Sequence, residues 1–272
     1  MTTVLRYAAF TTDPSGGNPA GVVLDANGLD ADAMQAIAAD VGYSETAFVT
    51  EGGNVRYFSP KAEVPFCGHA TVATAVALAE RLGPGELVFS TPAGIIPVTV
   101  DDQLRATLTS VEPYVEAVSE IDEALEILGW RSDELDPALP PRIAYAGARH
   151  LVLAASTRQR LADLDYDFDR LTAYMLERDL TTLQLVWRES PTTFHVRDPF
   201  PVGGVVEDPA TGAAAAAFGA YLRELKLVEP PVTLTLHQGD DLGSPSLIEV
   251  ELRTDDTRVR VSGNAVPITA PA

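Results

Sequence analysis

Residues 56–82 read RYFSPKAEVPFCGHATVATAVALAERL, and residues 197–225 read RDPFPVGGVVEDPATGAAAAAFGAYLREL. Both segments open on arginine and place an aromatic residue before a proline, Phe58 and Pro60 in the first, Phe200 and Pro201 in the second. Both then cross a polar knot into an alanine-rich run. The offset is 209 − 69 = 140 when His69-Ala70-Thr71 is laid on Pro209-Ala210-Thr211, and 208 − 67 = 141 when Cys67 is laid on Asp208. Two more pairs lie upstream in the same order. SETAFVT from Ser44 matches TTLQLVW from Thr181, and GNPAGVVL from Gly17 matches GARHLVLA from Gly147. A period this long excludes a solenoid and points to one fold present twice.

Along 69–82 and 211–225 nearly every position of the first turns is Ala, Val, Thr, Gly, Leu or Phe. A helix that is apolar all round is buried. Around these runs lie short β-branched segments with turn signals, such as ETAFVTEGGNVRYF, ELVFSTPAGIIPVTVDD and LIEVELRTDDTRVRVSG. The expected fold is therefore α+β, with two pseudo-symmetric lobes, each a rolled, mostly antiparallel, barrel-like sheet around a central helix. The expected N-terminal lobe is 1–112, completed by 263–272, and the C-terminal lobe is 113–262, with the active site in the cleft between them. An amphipathic helix over LDADAMQAIAADVG is capped by Asp30, ends at Gly42 and puts Leu29, Ala33 and Ile37 on one face.

The 272 residues, 46% hydrophobic and 21% charged, are globular in composition. Nineteen Lys and Arg against 39 Asp and Glu leave a net charge of −20. Such a field repels phosphate backbones and anionic lipid, so no nucleic-acid or membrane partner is expected. A single cysteine, Cys67, rules out an internal disulfide. The four histidines lack metal-site spacing, and no metal is expected. The N-terminal residues lack the basic leader and apolar core of a signal peptide, so the expected location is cytoplasmic.

Chemistry is expected where the buried helices begin, because unpaired N–H groups and the helix dipole attract anions. Gly68 and Gly212 let a ligand approach the backbone there. Glu45 follows a glycine-terminated helix and opens an apolar strand; desolvation against Tyr43 and Phe48 would raise its pKa toward acid–base use. Asp208 reads equally as the N-cap of the second helix or as a site residue, and His69 as a cap or a substrate donor. Cys67 reads as a small buried hydrophobe.

Together, FTTDPSGGNPAGVVL, GYSETAFV, FSPKAEVPFCGHAT, GARHLVL, GVVEDPATGAA and VSGNAVPI resemble, in order, the motifs of the phenazine-biosynthesis PhzF family. The resemblance spans most of the chain and implies a diaminopimelate-epimerase-like fold, a homodimer and an isomerase that needs no cofactor and moves a proton between carbons. It implies Glu45 as the proton carrier, with His69 and Asp208 as its catalytic partners. Gly68, Gly212, Thr211, Ala213 and Asn18 are the implied substrate-binding positions, and the implied partner is a small carboxylate-bearing molecule. Three departures stand out: Ala213 where the family usually has serine, Ser244 where it has a basic residue, and Phe200 one place later than usual. A two-thiol epimerase on the same fold needs a cysteine in each lobe, and Cys67 stands alone. A catalytically idle binder of small acids and an epimerase or racemase remain the alternatives.

Overall fold

The β-branched segments become strands, and the two alanine-rich runs become the helices those strands surround. The computed structural model describes residues 2–269; Met1 and 270–272, assigned above to the N-terminal lobe, lie outside the described residues. In chain order, β1 (Leu5–Ala9) and β2 (Asn18–Val23) lead through α1 (Ala31–Val41) to β3 (Glu45–Thr50) and β4 (Asn54–Phe58). The short β5 (Glu63–Val64) precedes α2 (Gly68–Leu82), then β6 (Gly85–Thr91), β7 (Gly94–Val100) and β8 (Arg105–Thr109) follow. The second half opens with β9 (Tyr114–Ala117), α3 (Asp122–Leu128), β10 (Arg142–Tyr145), β11 (Arg149–Ala154), α4 (Arg158–Ala162) and α5 (Phe168–Glu177). It continues with β12 (Thr182–Arg188), β13 (Thr193–Pro199), β14 (Glu207–Asp208), α6 (Gly212–Glu224), β15 (Val232–Gln238), β16 (Ser246–Leu252) and β17 (Arg260–Pro267).

Strands β1, β2, β3, β4, β6, β7, β8 and β17 pair in a ring and close an eight-stranded barrel. In the second half β9, β10, β11, β12, β13, β15, β16 and β17 pair in the matching order. The parallel pairs are β2–β3, β4–β6, β11–β12 and β13–β15, each joined through a helix, as a parallel crossover requires. The remaining pairs are antiparallel, so the architecture is the expected α+β one. Strand β17 serves both halves: residues 260–262 pair with β16 and residues 265–267 with β1.

Helix α2 touches β1, β2, β3, β7, β8 and β17, and α6 touches β9, β10, β11, β12, β16 and β17. Each is thus enclosed by its own sheet, which is why small side chains dominate both. Every residue of 68–77 is buried. Its threonines are satisfied locally: Thr71 and Thr74 hydroxyls donate to the Cys67 and Ala70 carbonyls at 2.6 and 2.7 Å. In the second lobe Phe218 packs edge-on to Phe194 with ring centroids 4.9 Å apart. Truncating so enclosed a ring costs about 3–5 kcal/mol.

Two sequence expectations shift. The helix starts lie 212 − 68 = 144 residues apart, not 140 or 141. The turn before β14 holds residues 200–206 where the turn before β5 holds 59–62, and these three extra residues carry the difference. In α1, Asp30 accepts from the Ala33 N–H and Gly42 closes the helix in the left-handed region, as expected. Its buried side chains are Met34 and Ala38, with Leu29 and Ile37 partly buried against the same cluster, so the inner face is centred one position on from Ala33.

Candidate active site

A cleft of about 920 Å³ lies between the halves, and Glu45, Gly68, His69, Asp208, Thr211, Gly212 and Ala213 all line it. They come from four separate elements. Glu45 begins β3, where the β2–β3 register sets it opposite Ala20. Gly68 and His69 open α2, Gly212 and Ala213 open α6, and Asp208 ends β14. The two helix starts nearly touch: a Cβ on Gly68 would lie 3.4 Å from the Gly212 Cα. By α-helix geometry the first-turn N–H groups of both helices lack intrahelical partners, so two positive dipole ends converge here.

Asp208 is not a helix cap. Thr211 is the N-cap residue of α6, and its hydroxyl donates to Asp208 Oδ2 at 2.6 Å, while the Gln238 amide oxygen accepts the Thr211 N–H at 3.0 Å. Asn18 is nearly inaccessible and stands behind the cleft wall. Gly17, at φ +73°, turns the chain so that the Asn18 amide donates to Asp208 Oδ1 at 2.7 Å and to the Ala210 carbonyl at 3.0 Å. The same nitrogen lies 3.2 Å from His69 Nδ1. Asn18 therefore clasps the two lobes and fixes both polar partners of the site.

His69 Nδ1 faces the Cys67 sulfur at 3.3 Å and the Asn18 amide nitrogen, whose two hydrogens go to Asp208 and Ala210. Nε2 lies 3.5 Å from Glu45 Oε2 and 3.4 Å from Ser44 Oγ, oxygens that can accept, and this assigns the ring proton to Nε2. Burial pushes the imidazole down to about 3, so at neutral pH it is an uncharged donor and makes no ion pair. Burial raises the Glu45 carboxyl above its ordinary value, against hydrogen bonds from Ser44 and Cys67 that lower it. Glu45 is indeed desolvated, but not by Phe48. Three positions along a strand reverse the face, and Phe48 packs with Met34 and Phe58 under α1. Burial, and then the nearby Glu45, lift Asp208 to about 7. Two enclosed carboxyls with elevated affinity for protons, beside a neutral imidazole, can hold and exchange a proton at neutral pH.

Cys67 is more central than its sequence context suggested: it caps α2 and stands within reach of both Glu45 and His69. The adjacent C-G-H triplet was the available signal. Burial drives its thiol well above the ordinary range, so it is not a thiolate nucleophile. The ligand atoms of Glu45, Cys67 and His69 all lie within 4.8 Å of one another, a set a zinc ion accepts. A metal there would occupy the Glu45 carboxylate, so metal binding and proton transfer by Glu45 exclude each other. Lys61 and Arg149 are the lysine and arginine on the cleft wall among the described residues, with Arg149 paired to Glu116 at 3.1 Å. No helix of the described residues is long and apolar enough to cross a membrane.

The model of the phenazine biosynthesis-like protein family (PhzC–PhzF) matches residues 7–270. An uncharacterized isomerase of Deinococcus radiodurans is 36% identical, over 95% of this chain and 89% of its own. The trans-2,3-dihydro-3-hydroxyanthranilate isomerase of Pseudomonas chlororaphis is 32% identical, over 95% of this chain and 94% of its own. Among solved structures, a PhzF-family phenazine biosynthesis protein of Bacillus anthracis superposes with a TM-score of 0.87 at 26% identity, covering 98% of this chain and 97% of that one. A hydroxyproline epimerase of Agrobacterium vitis shares the fold, with a TM-score of 0.67 at 12% identity, which makes the architecture epimerase-like. With a family model spanning nearly the whole chain and relatives named as isomerases, the chain belongs to the phenazine biosynthesis-like PhzC–PhzF family.

Proposed function

We propose that this protein is an isomerase that moves a proton between two carbons of a small carboxylate-bearing substrate, with Glu45 as the carrier. The observation that carries this reading is the Glu45 carboxyl, enclosed on the cleft wall beside neutral His69 and next to two converging helix starts. The substrate carboxylate sits at the first turns of α2 and α6, where N–H donors and the dipoles offset the charge of −20. Glu45 takes a proton from a carbon next to an unsaturated system. The C–H electron pair passes into that system, the double bond shifts, and the Glu45 acid returns the proton to a second carbon on the same face. Atoms and electrons balance without an oxidant or reductant. His69, through Nε2–H, and Asp208, through Asn18, hold the carboxyl and the substrate in register.

General acid–base action contributes about 10²–10⁴-fold. Preorganised N–H donors aimed at the developing enolate-like charge supply a further share. The Pseudomonas chlororaphis relative is named for a ring acid bearing amino and hydroxyl groups. A small unsaturated or cyclic amino- or hydroxy-acid is accordingly the substrate class proposed here. Ala213 at the start of α6 brings no hydroxyl to the carboxylate, and Ser244 spends its hydroxyl on the Gly17 carbonyl at 2.7 Å, so the substrate need not be that relative's. Homodimeric assembly is part of the proposal and is checked by sedimentation. The activity is tested by incubating such acids with the protein in deuterated buffer and reading carbon-bound deuterium by NMR. An idle binding protein would bind acids and exchange nothing.

A further inference from the structure

The C-terminal lobe holds a polar cluster that the acid–base chemistry leaves unused. His150, on β11, is fully buried and lines the cleft. Its Nδ1 lies 2.8 Å from Thr182 Oγ1 on β12, and that oxygen lies 3.4 Å from Asp198 Oδ1 on β13. The Gln184 amide nitrogen donates to both Asp198 oxygens, at 2.6 and 3.1 Å. His150 Nε2 is enclosed and has no hydrogen-bond partner among the described residues. An enclosed ring nitrogen left so is unfavourable, and a histidine kept only for packing would avoid it.

The duplication gives this cluster its meaning. The β2–β3 register sets Ala20 opposite Glu45, and the β11–β12 register sets His150 opposite Thr182. The upstream repeat pairs the same positions, since 182 − 45 = 137 is the spacing of SETAFVT from TTLQLVW. Thr182 thus occupies in the second lobe the place that Glu45 occupies in the first. The pair His150 and Thr182 replaces Ala20 and Glu45 on the opposite wall of the same cleft.

We propose that His150 is a second substrate contact, its Nε2 accepting a hydrogen bond from a hydroxyl or amino group of the substrate. The proposal rests on the reading above that the cleft binds a carboxylate. Asp198 accepts from the Gln184 amide on both oxygens and from the Thr182 hydroxyl on Oδ1. With that hydrogen committed, Thr182 Oγ1 accepts from His150 Nδ1–H, and Nε2 keeps its lone pair. Burial pushes His150 down to about 3, so the ring stays uncharged at neutral pH and the contact is a neutral acceptor. A neutral acceptor in an enclosed wall takes an O–H or N–H donor and repels the lone pairs of a second carboxylate. Thr182 and Asp198 are positioning residues in this scheme, since they act through His150.

The test uses benzoate and the three hydroxybenzoates as probes, titrated into isotopically labelled full-length protein. Amide signals of Gly68 and Gly212 report the carboxylate, and the His150 imidazole nitrogens report the second contact. At least one hydroxybenzoate is expected to shift both sets and to bind about tenfold tighter than benzoate, or 1.4 kcal/mol. His150→Leu should erase that tenfold gain and leave benzoate binding unchanged. His150→Gln, which keeps a polar end if the leucine variant folds poorly, should retain part of it. Thr182→Val should shift the resting imidazole nitrogen signals toward a mixture of tautomers. If the acids move Gly68 and Gly212 but no hydroxyl gain depends on His150, this proposal is overturned and the carboxylate reading stands. If no acid moves Gly68 or Gly212, the carboxylate reading fails and this proposal falls with it.

Discussion

Asp208→Asn tests the electrostatics of the site without needing a substrate. Asp208 is 5% exposed, and burial together with Glu45 raises its carboxyl from 3.8 to about 7. The folded protein therefore binds this proton more tightly than the unfolded chain does. The stabilisation is fully present below about pH 3.8 and is lost as the pH rises through about 7. Three pH units at 1.36 kcal/mol each set the full effect at about 4 kcal/mol. Asparagine keeps the shape: its oxygen still accepts from Asn18, and its amide donates to Thr211 Oγ1 once that hydroxyl turns. Urea unfolding of both proteins at about pH 4.5 and about pH 7.5 should show wild type losing about 3 kcal/mol relative to the variant, or about 1 M in midpoint at an m-value of about 3 kcal/mol/M. Subtracting the curves removes the surface carboxylates, which titrate alike in both. Parallel stability curves would refute the claim that Asp208 is held protonated near neutrality.

Arg197 donates to Glu207 through Nε at 3.0 and 3.1 Å and Nη2 at 2.5 Å, in an enclosed pair next to Asp208. Arg197→Met should cost about 3–5 kcal/mol in urea unfolding, and Arg197→Met with Glu207→Leu should recover most of it; equal losses would show that the pair is not desolvated. Zinc ions at micromolar concentration should inhibit isomerisation through Glu45, Cys67 and His69. Cys67→Ser should blunt that inhibition while keeping most turnover, and activation by zinc would reverse the reading.

The helix pair and the two-lobe fold were legible because enclosure leaves a compositional mark: only small and apolar residues fit inside a rolled sheet. Glu45, His69 and Asp208 were legible as a group through motif resemblance, while their spacing alone left capping roles open for His69 and Asp208. What escaped was set by register rather than by local pattern. His150, Thr182 and Asp198 are scattered along the chain, and only the β11–β12 and β12–β13 pairings bring them together. Phe48 was misplaced as a neighbour of Glu45 because proximity in sequence was weighed above strand alternation. The extra residues of 200–206 blurred the repeat's offset, and the sharing of β17 between lobes has no local sequence signature.

The most direct test of the account is Glu45→Gln, measured for deuterium transfer from solvent into whichever acid wild-type protein isomerises. Glutamine keeps the size and much of the polarity of Glu45 but cannot take up and return a proton. The variant should incorporate no deuterium above the uncatalysed rate while binding the acid within about tenfold of wild type, or 1.4 kcal/mol. Cys67→Ser, assayed beside it, should exchange readily. A Glu45→Gln protein that still exchanges, next to a Cys67→Ser protein that does not, would contradict the carboxylate mechanism and require a thiol in its place.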